Sequence, residues 1–145
     1  MSMVRDILSV KGSQVLSVGP DATVLEAALL MNEHKVGGLV VLEHEHLLGI
    51  ITERDVLRRV VGERRDPGET LVKDVMSAEV ACCELGTSID EARGVMKNRR
   101  IRHLPVINEH GRLCGLISIG DLNAHETNTK EMTIHLLREY IYGPA

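Results

Sequence analysis

The feature that most constrains this sequence is an internal repeat. Residues 23–31 (TVLEAALLM) align with residues 88–96 (SIDEARGVM) at an offset of 65, and residues 49–55 (GIITERD) align with 115–121 (GLISIGD) at an offset of 66. The segments 4–8 and 72–76 that lead into each copy also resemble each other, and a polar linker at 63–70 separates the copies. A chain of this kind uses one structural unit twice.

Each copy predicts the same order of elements: strand, helix, strand, strand, helix. The helix begins after Thr23 or Ser88, because each stands three residues before a glutamate, which is the spacing of a capping box. Two apolar runs joined by a polar turn then predict a hairpin, and Thr52 or Ser118 ends its last strand and opens a second helix. The predicted strands are Val15–Val18, 39–42 and 47–51 in the first copy, and Val80–Cys83, 104–107 and 113–117 in the second.

The fold class that follows is a mixed α/β protein of two tandem β-α-β-β-α repeats. A copy of about 50–60 residues buries too little surface to be stable alone, so the two copies are expected to pack together with pseudo-twofold symmetry. The predicted division is repeat 1 with its lead-in helix at 1–66, repeat 2 with its lead-in helix at 67–128, and a C-terminal helix at 129–145. That last helix is predicted from the apolar spacing of Met132, Leu136 and Tyr140.

Composition excludes several classes of function. The 145 residues carry a formal net charge of −4 and include two Tyr but no Phe or Trp, which argues against nucleic-acid binding and base stacking. No apolar run is long enough to span a membrane, and the N-terminus has no signal-peptide core. Three cysteines without a CxxC spacing indicate reduced thiols and a cytoplasmic protein. No nucleophile–base motif, phosphate loop or pair of acids at an interpretable spacing is present, so an enzyme is not expected.

A hydroxyl followed by a carboxylate three residues later occurs at the same place in both copies, as Thr52 with Asp55 and Ser118 with Asp121. The aspartate of such a pair has acceptors for both hydroxyls of a ribose, while the hydroxyl and the free helix N–H groups face a phosphate or sugar oxygen. The same residues are also plausible helix N-caps with an acid near the positive end of the helix dipole. Both interpretations apply, and one residue pair is able to serve both.

Arg102 and His103 precede the apolar run 104–107 of the second copy. An arginine offers a fork of donors to a phosphate, and a histidine adds one more. The alternative is a solvated basic edge that runs from Lys97 to Arg102.

The two copies differ at the positions of these cations. The first copy has Gly37 and Gly38 where the second has Arg102 and His103, and it has Arg54 where the second has Gly120. This asymmetry predicts one strong site and one weaker or different site. If a pseudo-twofold axis brings the copies together, Arg54 is expected to lean toward a phosphate held by Arg102 and His103.

The duplicated Gly-h-h-Thr/Ser-x-x-Asp pattern (h, an apolar residue) and the run 101–106 (IRHLPV) resemble a pair of CBS domains, a Bateman module of the stand-alone bacterial type. The resemblance implies adenine nucleotides in clefts between the repeats, a homodimer that meets through helices, and a regulated partner protein. AMP is the first expected ligand, followed by NAD, with ATP, ADP and S-adenosylmethionine open. The expected nucleotide-binding residues are Lys35, Gly38, Thr52, Arg54, Asp55, Arg102, His103, Pro105, Ser118 and Asp121.

Within this set the second repeat is expected to provide the stronger site. It would unite Ser118 and Asp121 with Arg102 and His103, whereas the first repeat would have only Lys35 and Arg54 as substitutes for the missing cations.

Two other functions remain as alternatives. The first is a ligand-independent interaction module that works through its helical faces. The second is a thiol or metal sensor that uses Cys82, Cys83 and Cys114, or the turn with His44 and His46. No third ligand is fixed near that turn, so no metal site is predicted there.

Overall fold

The structure is a computed structural model that describes residues 2–130 of the chain, and it contains the same set of elements twice. The first set is α1 (Val4–Lys11), β1 (Ser17–Val18), α2 (Val24–His34), β2 (Gly38–Glu43), β3 (His46–Thr52) and α3 (Glu53–Val56). The second set is α4 (Val72–Val75), β4 (Cys83–Glu84), α5 (Ile89–Arg99), β5 (His103–Ile107), β6 (Leu113–Ser118) and α6 (Ile119–Lys130). The predicted mixed α/β fold of two tandem repeats is therefore confirmed. The predicted helix at 129–145 falls, from residue 131 onward, outside the described residues.

Each repeat contains one three-stranded sheet with the same topology. In the first sheet β1 pairs in parallel with β2, and β2 pairs antiparallel with β3; β4, β5 and β6 form the second sheet in the same way. Both predicted hairpins are confirmed. The strands predicted at Val15–Val18 and Val80–Cys83 are wrong in their bounds, because the partner strand offers β1 and β4 only two paired positions each.

The helix starts are confirmed by their hydrogen bonds. The Thr23 hydroxyl accepts from the backbone N–H of Glu26 at 3.1 Å, and the Ser88 hydroxyl accepts from that of Glu91 at 3.1 Å. These caps satisfy N–H groups that a helix leaves without an internal partner.

The lead-in helices exchange places between the repeats. In α1, Val4, Ile7 and Leu8 belong to the core cluster of the second repeat, whereas Val72 and Val75 of α4 belong to that of the first. Backbone hydrogen bonds follow the same exchange: Val4 donates to the carbonyl of Thr87, and Val72 donates to that of Ala22, each at 2.8 Å. The predicted boundaries 1–66 and 67–128 stay a prediction. In the structure each lead-in helix packs in the core of the repeat on the other side of that boundary.

The two sheets meet on the faces that point away from these cores. Leu39 and Val41 of β2 belong to the first core, so the fully buried Val40 between them lies on the other face. Gly38 of β2 faces the second sheet, where an added Cβ would lie 3.5 Å from the imidazole of His103, an ordinary van der Waals distance. Gly38 and His103 are therefore neighbours across the two repeats.

The second helix of the first repeat departs from its counterpart. After α3 the chain continues as a π-helical turn, Leu57–Val61, whereas α6 is a regular helix at the corresponding positions. The N–H of Gly62 donates to the carbonyl of Leu57 at 2.9 Å and closes this turn. Within the described part of the chain, no helix is long and apolar enough to cross a membrane.

Candidate functional site

A cleft with a volume of about 1000 Å³ lies between the repeats. This volume is at the upper end of the range, about 300–1000 Å³, that is usual for small-molecule sites. One wall is the end of β3 with α3 and the π-helical turn, and the other is the segment 99–103 with the start of α6. Ser77 and residues 79–81, which follow α4, close the cleft. Of the predicted site residues it brings together Thr52, Arg54, Asp55, Arg102, His103 and Ser118.

Asp55 supplies the buried carboxylate of the cleft. Its residue is 7% exposed, and one carboxylate oxygen accepts from the backbone N–H of Thr52 at 2.9 Å and from the Thr52 hydroxyl at 3.2 Å. The other oxygen accepts from the Ser77 hydroxyl at 3.1 Å and lies 4.0 Å from Nε of Arg59. A carboxylate has about four lone-pair sites, so the group has acceptor capacity left for a ligand hydroxyl. The capping interpretation of Thr52 and Asp55 is thereby confirmed, and a role toward a ligand is compatible with it.

The opposite side of the cleft is cationic. Arg54 crosses from the first repeat, and its guanidinium donates to the backbone carbonyl of Arg100 at 3.1 Å. Arg100 ends α5 in the left-handed conformation, with φ of 55°. Arg54, Arg100, Arg102 and His103 all line the cleft, so the expected approach of Arg54 to the cations of the other copy is what the geometry gives.

The surroundings of His103 favour the neutral form of its imidazole. Burial lowers the pKa of its imidazole below the ordinary value, and the positive charges of Lys11 and Arg102 lower it further. Asp121 and Glu53 act in the opposite direction with smaller effect. A neutral imidazole in this position donates from one nitrogen only, and an added anion in the cleft would favour its protonated form.

Asp121 does not line this cleft, although it is close enough to His103 to raise the pKa of the imidazole. Its carboxylate is bound by Lys11 from the exchanged helix α1: Nζ of Lys11 donates to Asp121 at 2.6 Å and to the carbonyl of Leu116 at 2.7 Å. Asp121 also accepts from the N–H of Ser118 at 2.8 Å, which makes this pair an N-cap. The exchange of the lead-in helices thus carries a cation from the start of the chain to the second repeat, and the grouping of Asp121 with Arg102 and His103 around a ligand stays a prediction.

The remaining predicted residues, Lys35, Gly38 and Pro105, do not line the cleft. Lys35 ends α2 with φ of 54°, and Pro105 is buried within β5, where the partner β4 reaches only Val106 and Ile107. Gly38 lies beside His103, since an added Cβ there would be 3.5 Å from the imidazole. Their roles toward a ligand stay predictions.

The thiol and metal alternatives find little support in the geometry. Cys82, Cys83 and Cys114 are all unpaired. Burial raises the pKa of the Cys83 thiol to about 12 and also raises that of Cys82, so both thiols are poor nucleophiles at neutral pH. Across residues 2–130, no group of three or more His, Cys, Asp or Glu is placed to hold a metal ion.

Sequence reasoning missed three contributors to these carboxylates: Ser77, Arg59 and Lys11. Arg59 donates to the carbonyls of Val75 and Met76 at 3.1 and 3.0 Å, which anchors the end of α4 beside Asp55. Arg59 follows Asp55 by four residues, a helical spacing that could have indicated this contact. Ser77 and Lys11 lie far from their partners in sequence, and no local signal points to them.

The fold and the cleft define a two-repeat α/β module with a ligand-sized site between its repeats. A profile of the CBS domain matches residues 4–62 and 72–126. The chain belongs to the CBS domain family, as two consecutive CBS domains, and a CBS pair is a regulatory, ligand-binding module.

Individual relatives agree with this assignment. The CBS domain-containing protein YhcV of Bacillus subtilis is 35% identical over 130 residues, which cover 90% of this chain and 89% of the relative. A solved CBS-domain protein from Burkholderia ambifaria MC40-6 has a TM-score of 0.86 and 38% identity, and the match covers 92% of this chain and 99% of that one. The CBS domain pair of protein MJ0100, solved with 5′-methylthioadenosine and S-adenosyl-L-methionine, shares the fold with a TM-score of 0.79 at 21% identity over 90% of this chain and 99% of that one.

Proposed function

We propose that this CBS pair is a non-enzymatic sensor that binds an adenosine nucleotide in the cleft between its repeats and signals occupancy to a separate protein. The observation that carries the proposal is the pairing, in one cleft, of the Thr52–Asp55 unit from the first repeat with Arg102 and His103 from the second. The first unit suits ribose hydroxyls, and the second suits a phosphate. The bound adenosine ligands of the MJ0100 pair support the same ligand class.

The apolar part of the cleft suits an adenine base. Ile50, Leu57, Val80, Ala81 and Ile119 line it beside the carboxylate of Asp55. Ligand sites usually combine such an apolar lining with a few polar groups that fix orientation. AMP is the smallest ligand with a base, a ribose and a phosphate to meet all three parts, and ADP, ATP and NAD contain the same unit.

We further propose one nucleotide per chain. The carboxylate of Asp121, which corresponds to Asp55 in the second repeat, is bound by Lys11 at 2.6 Å. A ribose at Asp121 would have to compete with that ion pair. At Asp55 the hydrogen bonds come from hydroxyl and backbone groups and the charged Nε of Arg59 stays 4.0 Å away, which leaves acceptor capacity.

Thermal-shift screening followed by calorimetry tests the proposal. Nucleotide-free protein is melted with AMP, ADP, ATP, NAD, NADH and S-adenosylmethionine; a ligand at 100 times its dissociation constant raises the free energy of unfolding by about 2.7 kcal/mol. Calorimetry with the best ligand is expected to give one site per chain. Unchanged melting with every nucleotide at millimolar concentration would overturn the sensor, and two equal sites would overturn the role given to Lys11.

The molecule is proposed to act as a cytoplasmic homodimer. Leu25, Leu29 and Val61, on the helices of the first repeat, are 44%, 57% and 63% exposed. Leu25 and Leu29 stand four residues apart on α2 and so share one face of that helix, and exposed apolar surface of this kind is typical of an interaction site. The same exposed helices are what favours the second candidate function, an interaction module that binds its partner without a ligand.

A further inference from the structure

A second, smaller groove adjoins the nucleotide cleft and is strongly basic. It has a volume of about 300 Å³ and shares Arg54, Arg100 and Arg102 with the cleft, so the two cavities are continuous around these side chains. Arg93 and Lys97 of α5 extend it away from Asp55. Five of its eight described lining residues are basic, and none of the eight is acidic.

Four of the five basic residues of this groove are not required by the fold, because the other repeat forms the same elements without them; the fifth, Arg100, corresponds to Lys35. At the offset of 65, Arg93 and Lys97 correspond to Ala28 and Asn32, and Arg102 corresponds to Gly37. Arg54 enters from the first repeat, where its counterpart at the offset of 66 is Gly120. Cations that only one repeat has at these positions therefore converge on one end of one cleft.

The groove gathers positive charge that an anion would complement. The whole chain has a net charge of −4, so the basic character of the groove is a local feature and does not reflect a basic protein surface. Arg93 is partly neutralised, since it donates to Asn123 and to the carboxylate of Glu126 at 2.9 Å each. Lys97, Arg100 and Arg102 are exposed and lie around the same groove, where like charges repel.

We infer that the nucleotide carries two or more phosphates, with the first at Arg102 and His103 and the next along the groove toward Arg100 and Lys97. One phosphate needs only one or two of these cations, which leaves Lys97 and Arg100 for a further anionic group. The inference rests on the proposed nucleotide function and narrows it to the diphosphate unit that ADP, ATP and NAD share.

The test compares AMP with ADP, ATP and NAD by calorimetry without divalent cations, in the wild type and in Lys97→Asn. That substitution gives the second repeat the residue that the first one has. ADP and ATP are expected to bind at least tenfold more tightly than AMP. Lys97→Asn is expected to weaken ADP and ATP by about tenfold, the loss typical of one charge-assisted hydrogen bond, and to leave AMP unchanged.

Arg112→Ala is the matched control, since it removes one positive charge from the turn at the opposite end of the β5–β6 hairpin and is expected to change neither affinity. If NAD binds as tightly as ADP, the groove binds a diphosphate. If ATP binds more tightly than both, the groove also binds a third phosphate. Equal affinities for AMP and ADP, or equal losses for both in Lys97→Asn, would overturn the inference while the proposed sensor stands. Absence of binding by every nucleotide would overturn the sensor and the inference together.

Discussion

At the scale of single residues, the two aspartates of the repeated motif have the same local role and different surroundings. Asp55 and Asp121 each accept from the backbone N–H three residues earlier, at 2.9 and 2.8 Å, and so begin the following helix. Asp55 faces the cleft with Arg102 and His103, whereas Asp121 is paired with Lys11. The sequence favoured Asp121 for the stronger site, and we propose the reverse order because of these surroundings.

Replacing Asp55 by Asn is predicted to weaken nucleotide binding by about ten- to a hundredfold, because a hydrogen bond to a charged group is worth about 1.5–3 kcal/mol. Asn keeps a side-chain oxygen for the cap, so the helix start is retained. Asp121→Asn is the matched control, with the same change at the corresponding cap, and is expected to alter affinity less than threefold. Calorimetry measures both, and a larger loss for Asp121→Asn would contradict the assignment of the site.

His103 makes stability and binding depend on pH. Burial lowers the pKa of its imidazole in the folded protein, so the unfolded chain takes up the proton first as the pH falls. The stability is complete above the ordinary histidine pKa, near 6.5, and decreases as the pH falls from there toward the lowered pKa. His103→Gln is predicted to lose less free energy of unfolding than the wild type between pH 7.5 and pH 5.5.

Urea unfolding at the two pH values measures this difference, because the other titrating groups are common to both proteins. A bound phosphate favours the protonated imidazole, so nucleotide binding to the wild type is expected to take up protons. Calorimetry in buffers of different ionisation enthalpy detects that uptake. Equal losses of stability in the two proteins would show that His103 is not the group responsible.

At the scale of elements, each repeated motif has a glycine, Gly49 or Gly115, at a position where a side chain would collide with a neighbouring segment. An added Cβ at Gly49 of β3 would lie 2.5 Å from the backbone carbonyl oxygen of Ser77, and one at Gly115 of β6 would lie 2.8 Å from a methyl group of Leu8. Both contacts are made by segments that lead into the other repeat. The glycines are therefore needed where the exchanged segments cross the sheets.

Gly49→Ala is predicted to reduce the free energy of unfolding by about 1–3 kcal/mol, the usual cost of overpacking, because backbone must move to admit the methyl group. The substitution would also disturb the 3.0 Å hydrogen bond from the N–H of Ile50 to the carbonyl of Ser77. Ser77 is also the residue whose hydroxyl donates to Asp55. Gly94→Ala, in α5 with nothing within 4 Å, is the control and is expected to stabilise by about 0.5–1 kcal/mol. Equal effects in the two variants, measured by urea unfolding, would argue against the crossing as the cause.

The elements that sequence predicted well are those that local chemistry determines. The caps at Thr23 and Ser88 join residues three apart, and each hairpin joins adjacent apolar runs. The predicted bounds of the strand Val80–Cys83 were wrong, because the extent of a parallel strand depends on pairing with a segment that is distant in sequence. The partner of Asp121 also could not be predicted, since Lys11 lies 110 residues away and reaches it only through the exchange of α1. The residue types of the proposed site could thus be read from the sequence, whereas the distant partners of each carboxylate could not.

At the scale of the whole molecule, the two repeats present different surfaces. In the second repeat, Arg93 of α5 bonds to Asn123 of α6, so these helices lie side by side. The corresponding helices of the first repeat have Leu25, Leu29 and Val61 exposed, where the second repeat has Asp90, Gly94 and Thr127. A homodimer built on apolar contact would therefore join first repeat to first repeat, as a twofold interface requires the same patch on both chains.

This arrangement gives the last prediction. Leu29→Glu is expected to convert the proposed homodimer to a monomer at micromolar concentration, because a twofold contact brings the introduced charges of both chains into one apolar interface. Light scattering with size-exclusion chromatography measures the mass. Val10→Glu is the control, since Val10 is 87% exposed on α1 and outside the patch, and its variant is expected to stay dimeric. A wild type that is monomeric, or a Leu29→Glu variant that stays dimeric, would mean that these helices do not form the dimer interface.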